Sequence, residues 1–193
     1  MALSLAKRIT EYKLAKDLFV RGKEIIISRE VQEMKKYTQH GRTTVFEHCV
    51  AVAKYSLLIA YHLERILNIS IDKDSLVRGA LLHDYFLYDW HIKGHAQGLH
   101  GFTHPSVAIK NAVRDFDLNR IEKDVIVKHM FPLTPFPPRY LESYIVSVAD
   151  KWCATAETFK IDISSYLIAR INYSIEIANI DSSICPGVLF AES

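Results

Sequence analysis

The stretch RGALLHDYFLYDWH, residues 78–91, determines how the rest of the chain is interpreted. Apolar residues lead directly into the adjacent pair His83-Asp84, and aromatic residues follow that pair. Burying an imidazole beside a carboxylate costs free energy unless a further group compensates both. A bound metal cation compensates both, and it requires additional ligands elsewhere in the chain.

The composition of the whole chain is that of a globular protein. The chain has 193 residues, a length that predicts a single domain over residues 1–193 with a sizeable core. Its hydrophobic content of 49% and charged content of 24% are ordinary for such proteins. A formal net charge of +2 gives no reason to expect nucleic acid or an anionic membrane surface as a partner.

Cysteine usage and the first residues favour a cytoplasmic location. The three cysteines form no CxxC pair, which fits a reducing compartment better than secretion. Charged residues interrupt the start of the chain too early for a secretory signal. No uninterrupted apolar run reaches the ~18 residues that a membrane span needs, so no membrane partner is expected.

Apolar residues recur at three- and four-residue steps along most of the chain, so the sequence predicts an all-α, bundle-like domain. No run alternates in the manner of a strand, and residues 38–44 are expected to form a loop. Residues 3–38 are expected to form two helices. Arg21-Gly22 is the expected break between them, because glycine interrupts a helical pattern.

Three helix starts carry capping residues, namely Thr44, Asp72 and Asn119. Glutamates three residues after the first and the last of these complete two capping boxes. The helix that follows Thr44 should reach about Asn68, and it is apolar on most sides, which predicts a central position in the bundle. Residues 85–103 are expected to form a long loop before a helix that opens at Thr103, and residues 162–178 a last helix.

Six nitrogen or oxygen donors stand at otherwise apolar positions or at helix ends: His48, His83, Asp84, His104, His129 and Asp150. A set of histidines and carboxylates suits iron, manganese, zinc or another first-row divalent ion, whereas magnesium prefers mostly oxygen. Six ligands exceed what one open catalytic metal needs, and they suit two ions with Asp84 as a bridge. Such a pair activates bound water as hydroxide and stabilises phosphoryl oxygens, which favours hydrolysis of a phosphoester or phosphoanhydride.

The order His48, Leu-Leu-His83-Asp84 and Val-Ala-Asp150 resembles the HD superfamily of metal-dependent phosphohydrolases, whose pattern is H…HD…D on a helical bundle. The resemblance covers roughly residues 40–160. It implies a core there. The N-terminal helices over 3–38 and a C-terminal helix and tail over 161–193 lie outside the resemblance and are expected to pack on this core.

The segment His104-Pro-Ser-Val-Ala is similar to the His-Pro-x-x-Gly/Ala segment of binuclear HD proteins. The resemblance implies two ions on the six donors, with His83 and Asp84 at the catalytic centre. Iron or manganese are the implied metals, and zinc, nickel, cobalt and magnesium are the alternatives. His100, four residues before His104, is an alternative to it as a ligand. The chain lacks the GYP signature of the HD-GYP group, so the resemblance does not extend to cyclic di-GMP as substrate.

These observations predict a metal-dependent phosphohydrolase acting on a small phosphorylated substrate, a nucleotide or dinucleotide. Arg42, before the His48 helix, and Lys151, after Asp150, are predicted to bind substrate phosphate. Two other functions stay open: an HD-type di-iron oxygenase, and a non-catalytic module that senses a metal or nucleotide. A single histidine on a helix is usually an ordinary core or surface residue, but so many donors at the spacing of one family favour a metal site.

Overall fold

The computed structural model describes residues 5–89 and 100–184. In those ranges the chain forms eight α-helices and one two-stranded sheet, so the predicted all-α class is confirmed. The helices are Leu5–Ile27 (α1), Arg29–Gln32 (α2), Val45–Leu67 (α3), Lys73–Leu82 (α4), His100–Asp115 (α5), Arg120–Lys128 (α6), Leu141–Thr158 (α7) and Ser165–Ile184 (α8). A 3₁₀ turn, Glu33–Lys36, precedes the strands Thr38–His40 (β1) and Thr43–Thr44 (β2), which pair antiparallel.

The predicted capping residues begin the helices that the sequence assigned to them. Thr44 and Glu47 form the capping box of α3, and Asn119 and Glu122 form that of α6. The Asp72 side chain accepts a hydrogen bond from the Ser75 backbone N–H at the start of α4. The helix α3 packs against α4 and α7 and is buried along most of its length, which confirms its central position.

The predicted break at Arg21-Gly22 is wrong, because α1 runs without interruption from Leu5 to Ile27. A Cβ atom at Gly22 would lie 2.4 Å from Leu81 Cδ1. The glycine therefore permits the close packing of α1 on α4 and does not end the helix. The break comes at Ser28, whose hydroxyl accepts a hydrogen bond from the Val31 N–H and caps α2.

The segment 38–44, predicted as a loop, is a hairpin. Gly41 makes the reversal with φ 61°, a conformation that favours glycine. Strands of three and two residues are too short for alternation to be recognised in the sequence. The hairpin matters for the site because β1 carries Gln39 into the protein interior.

Two predicted helix boundaries also differ from the structure. The helix α5 begins at His100 and not at Thr103, because one glycine at position 101 lowers helix stability by only ~1 kcal/mol. The last helix begins at Ser165, after Asp162 accepts hydrogen bonds from two backbone N–H groups in a turn. Residues 90–99, with His91 and His95, the tail 185–193 and the His100 side chain lie outside the description. None of the described helices is long and apolar enough to span a membrane.

Candidate metal centre

Five helices bring the six predicted ligands to one buried region. The residues and their positions are His48 in the first turns of α3, His83 at the C-cap of α4 with Asp84 next to it, His104 in α5, His129 at the C-cap of α6, and Asp150 in α7. All six side chains are buried. Their roles as ligands stay a prediction, but their proximity is a feature of the fold.

One group of donors consists of His48, His83 and Asp150. The Nε2 atom of His48 lies 3.2 Å from Asp150 Oδ1, and that of His83 lies 3.7 Å from the same oxygen. Ligand atoms of the three residues all lie within 4.8 Å of one another. Asp84 Oδ2 faces this group, 3.8 Å from His48 Nε2 and 3.5 Å from His83 Nε2.

A second group consists of His104 and His129, whose Nε2 atoms are 2.8 Å apart. Asp84 Oδ1 faces this group, 3.1 Å from His104 Nε2 and 3.5 Å from His129 Nε2. The two carboxylate oxygens of Asp84 are therefore directed at two different pairs of histidines.

Hydrogen bonds at the opposite ring nitrogens orient three of the histidines. The Nδ1 atoms of His83 and His129 lie 2.7 Å and 2.9 Å from the carbonyl oxygens of Ala80 and Ile126. Such carbonyls require Nδ1 to carry the proton, which leaves the Nε2 lone pair directed at the centre. His48 Nδ1 lies 2.9 Å from Glu157 Oε2 and is oriented in the same way.

Two observations indicate that the centre suits first-row divalent cations. The atoms His83 Nε2 and Asp84 Oδ1 are buried and form no hydrogen bond with the described residues. Buried polar atoms are rarely left in that state, which indicates a further group between them. The donors are imidazole nitrogens and carboxylate oxygens, the combination that iron, manganese and zinc accept.

Burial and neighbouring charges set the protonation of the centre. Burial lowers the pKa of His48, but hydrogen bonds to Asp150 and Glu157 outweigh it and raise that pKa to about 10. Burial, together with the charge of His83, lowers the pKa of His129 to about 3. Burial raises the pKa of Asp84, but the charges of His83 and His104 hold it well below its usual range. Without a cation, protons on histidine balance the carboxylates.

Two residues that contact the predicted ligands were not found from the sequence. Gln39 Nε2 donates a hydrogen bond to Asp84 Oδ2 at 2.5 Å, and Glu157 accepts one from His48. Glu157 follows Asp150 by seven residues, two helical turns, so spacing along α7 carried a signal for it. No comparable signal exists for Gln39, because it lies on a three-residue strand.

The two residues predicted to bind phosphate lie in different settings. Arg42 is exposed in the hairpin turn and borders a pocket of about 390 Å³. The residues that line this pocket are Arg42, Thr43, Glu157, Lys160, Ile161 and Asp162. Glu157, which lines this pocket, also contacts His48, a predicted ligand.

The Lys151 ammonium group is engaged with the backbone around His129. Its Nζ donates to the His129 carbonyl oxygen at 2.9 Å and to Ser147 Oγ at 2.9 Å. The Ser147 hydroxyl donates to the same carbonyl at 2.7 Å. Phosphate binding by Lys151 stays a prediction, and it requires the ammonium group to leave these acceptors.

Comparison with known proteins finds similarity over the part of the chain that carries these residues. A sequence model of the HD domain matches residues 45–155, a span that contains all six donors. A curated relative, the dihydroneopterin 2',3'-cyclic phosphate phosphodiesterase of Methanocaldococcus jannaschii, is 29% identical over 113 residues. The alignment covers 55% of this chain and 45% of that protein, so the chain spans less than half the length of its relative. No solved structure gives a significant match.

Proposed function

Because the chain belongs to the HD-domain family, we propose that it is a metal-dependent phosphohydrolase with two divalent cations in its buried centre. The observation that carries this proposal is the position of Asp84. One of its carboxylate oxygens faces His48 and His83, and the other faces His104 and His129. A carboxylate between two groups of nitrogen donors is typical of a ligand that bridges a pair of cations.

The ligand assignment follows from the two groups. His48, His83 and Asp150 would bind one cation, His104 and His129 the other, and Asp84 both. Iron and manganese are the proposed metals because the nitrogen and oxygen donors suit first-row divalent ions, and zinc is the alternative that the same donors accept. When bound, such cations lower the pKa of coordinated water and stabilise anionic phosphoryl oxygens.

Residues around the ligands keep the centre in place. The amide of Gln39 restrains the rotation of the Asp84 carboxylate through its hydrogen bond to Oδ2. Glu157 accepts a hydrogen bond from His48 Nδ1–H and thereby directs Nε2 to the centre. Ser147 and Lys151 secure the carbonyl of His129 and with it the end of α6. Fixed donors of this kind reduce the reorganisation that a reaction requires.

We propose a small phosphodiester of nucleotide type as the substrate class, and 2',3'-cyclic phosphates as its first candidates. The support is the activity of the relative from Methanocaldococcus jannaschii, a phosphodiesterase that acts on a 2',3'-cyclic phosphate. The pocket beside Arg42 suits the part of such a molecule that does not react. The cationic side chains of Arg42 and Lys160 border it, and an arginine binds phosphate through two parallel hydrogen bonds.

Hydrolysis of 2',3'-cyclic mononucleotides by protein purified anaerobically tests this proposal. Elemental analysis of the same sample gives the metal content, and chromatography identifies the monophosphate product. We expect turnover with manganese, and its loss in Asp84→Asn at unchanged helical content. If a sample with two cations per chain cleaves neither cyclic nucleotides nor bis(p-nitrophenyl) phosphate, the proposed phosphohydrolase activity is contradicted. Oxygen consumption with iron, and no turnover with redox-inert manganese, would favour the oxygenase instead.

A further inference from the structure

One face of α7 is apolar and exposed. The stripe, as we name it, consists of Leu141, Tyr144, Val148, Trp152 and Phe159. These residues follow one another at steps of three, four or seven, so they share one side of the helix and of its C-terminal cap. Their side chains are between 40% and 73% exposed. The opposite side of α7 carries Asp150 and faces the centre.

The exposed side of α7 also lacks charges that extend into solvent. Its other exposed residues are Lys151, Thr155 and Thr158. The ammonium group of Lys151 folds back onto the His129 carbonyl. The acidic residues of the helix, Glu142, Asp150 and Glu157, are all buried. A helix face that remains in water normally carries charged and polar residues, so this face has the character of an interface.

The size of the stripe suits a dimer. Its five side chains expose roughly 500 Å² of surface, a size that only the largest apolar patch on a typical monomer reaches and that is often functional. The loop 131–138 adjoins it, because the Phe131 ring contacts the Tyr144 ring at 6.1 Å between centroids. That loop contributes exposed Leu133 and Phe136. Two such surfaces together reach the range of about 1,200–2,000 Å² that stable complexes bury.

We propose that the stripe is a homodimer interface, packed antiparallel against the stripe of a second copy across a two-fold axis. Under two-fold symmetry each surface meets itself, so any charge at its centre would face a like charge. The stripe carries no charged residue, so it can pack against the stripe of a second copy without charge repulsion. A charged partner protein would leave its charges unpaired against this face. The antiparallel arrangement also places opposite ends of the two helix dipoles together.

Sedimentation equilibrium of the full chain, as purified, tests the proposal. We expect two chains for the unaltered protein and one for Val148→Glu, with a dissociation constant raised by about 30-fold or more. Ile66→Glu is the matched control, because Ile66 is 70% exposed on α3, outside the stripe. We expect it to remain dimeric. Both variants should keep the far-UV circular dichroism and the metal content of the parent. If Val148→Glu does not fold, Tyr144→Glu replaces it.

Three outcomes would overturn this interface. The first is an unaltered chain that proves monomeric at micromolar concentration. The second is a dimer that persists in both Val148→Glu and Tyr144→Glu. The third outcome is a monomer whose own tail covers the stripe. Deletion of residues 185–193 would then increase quenching of Trp152 fluorescence in a Trp90→Phe background. None of these measurements depends on hydrolysis, so they test the interface separately from the proposed activity.

Discussion

Asp84 is the residue on which the largest number of contacts in the centre converge. Its two oxygens lie within 3.8 Å of four imidazole nitrogens, and Gln39 donates to one of the oxygens. The C-cap position of His83 explains this placement, because the chain leaves α4 there and turns Asp84 into the space between the other helices.

Substitution of Asp84 should therefore reduce the metal content more than substitution of a residue that belongs to only one of the two donor groups. We expect Asp84→Ala to retain neither cation and His129→Ala to retain one, because the proposed assignment gives His129 to one cation only. Elemental analysis after anaerobic purification measures both, with circular dichroism as the folding control. Equal metal content in the two variants would argue against a bridging Asp84.

Gln39→Leu removes the hydrogen-bond donor to Asp84 and keeps most of the volume of the side chain. We expect a 10–100-fold loss of metal affinity or of kcat, the range found for partners of metal ligands. Competition with a chelating dye gives the affinity, and steady-state kinetics gives kcat and KM separately. Gln32→Leu is the control, since Gln32 donates to the Ile26 carbonyl and contacts no ligand. Unchanged affinity together with unchanged kcat would leave Gln39 a packing residue.

Metal binding should release protons and strengthen as the pH rises. In the metal-free protein the pKa of His48 is raised to about 10, so at neutral pH a proton occupies the nitrogen that a cation needs. Calorimetry in two buffers of different ionisation enthalpy measures the release. Glu157→Gln removes one of the acceptors that raise this pKa, so that variant should release fewer protons. Identical heats in both buffers would contradict a protonated His48.

The same group makes the stability of the metal-free protein depend on pH. The folded pKa of His48 is above its ordinary value of 6.5, so protonated His48 stabilises the fold fully below that value. The stabilisation disappears as the pH rises towards about 10. Urea denaturation of chelator-treated protein should show a decrease in the free energy of unfolding over this interval. Glu157→Gln should show a smaller decrease.

Among the elements, the contact of α1 with α4 depends most on a single residue. The Cβ atom of Gly22→Ala would lie 2.4 Å from Leu81 Cδ1, a distance that requires movement of one helix. We expect a loss of about 1–3 kcal/mol from overpacking, partly offset by the ~1 kcal/mol advantage of alanine in a helix. Urea denaturation measures it. Leu81→Ala provides space for the added methyl group, so the double variant should be more stable than the sum of the single changes predicts.

Local signals in the sequence predicted most of the helices, and packing decided the remainder. Thr44 and Asn119 mark helix starts because a cap is made by residues only three positions apart. The donors of the centre were visible because polar residues interrupt apolar helix faces. Gly22 was misread because its partner, Leu81, is distant in the sequence, and no local pattern reports a contact of that kind. Gln39 was missed for the same reason.

At the scale of the molecule, the terminal helices extend the helical core. The helix α1 packs against α4, and α8 packs against α1, beyond the span that the HD-domain family matches. Ion pairs connect α1 to the rest of the chain, among them Arg78 on α4 with Glu24 and Lys54 on α3 with Glu11. We propose from this packing that residues 1–193 form one domain.

Removal of the cations should destabilise this whole assembly and not only the centre. The predicted ligands come from five helices and meet only in the folded chain, so a cation stabilises the folded state by an amount that increases with the ratio of its concentration to its Kd. We expect chelation to lower Tm, and the addition of manganese to restore it. Thermal unfolding followed by circular dichroism measures both. In Asp84→Ala the chelator should leave Tm unchanged. A decrease in the Tm of this variant as large as in the parent would contradict the dependence of stability on cations bound at the centre.

The positions of the donors along the chain also set the order in which the ribosome supplies them. His48 and Asp150 lie 3.2 Å apart in space but are separated by 102 positions in sequence. The group around His104 and His129 has all its residues before Asp150 is synthesised. A growing chain can therefore complete that half of the centre first. The other group is complete only after α7 has been synthesised, so all six predicted ligands are present together only once the chain has reached Asp150.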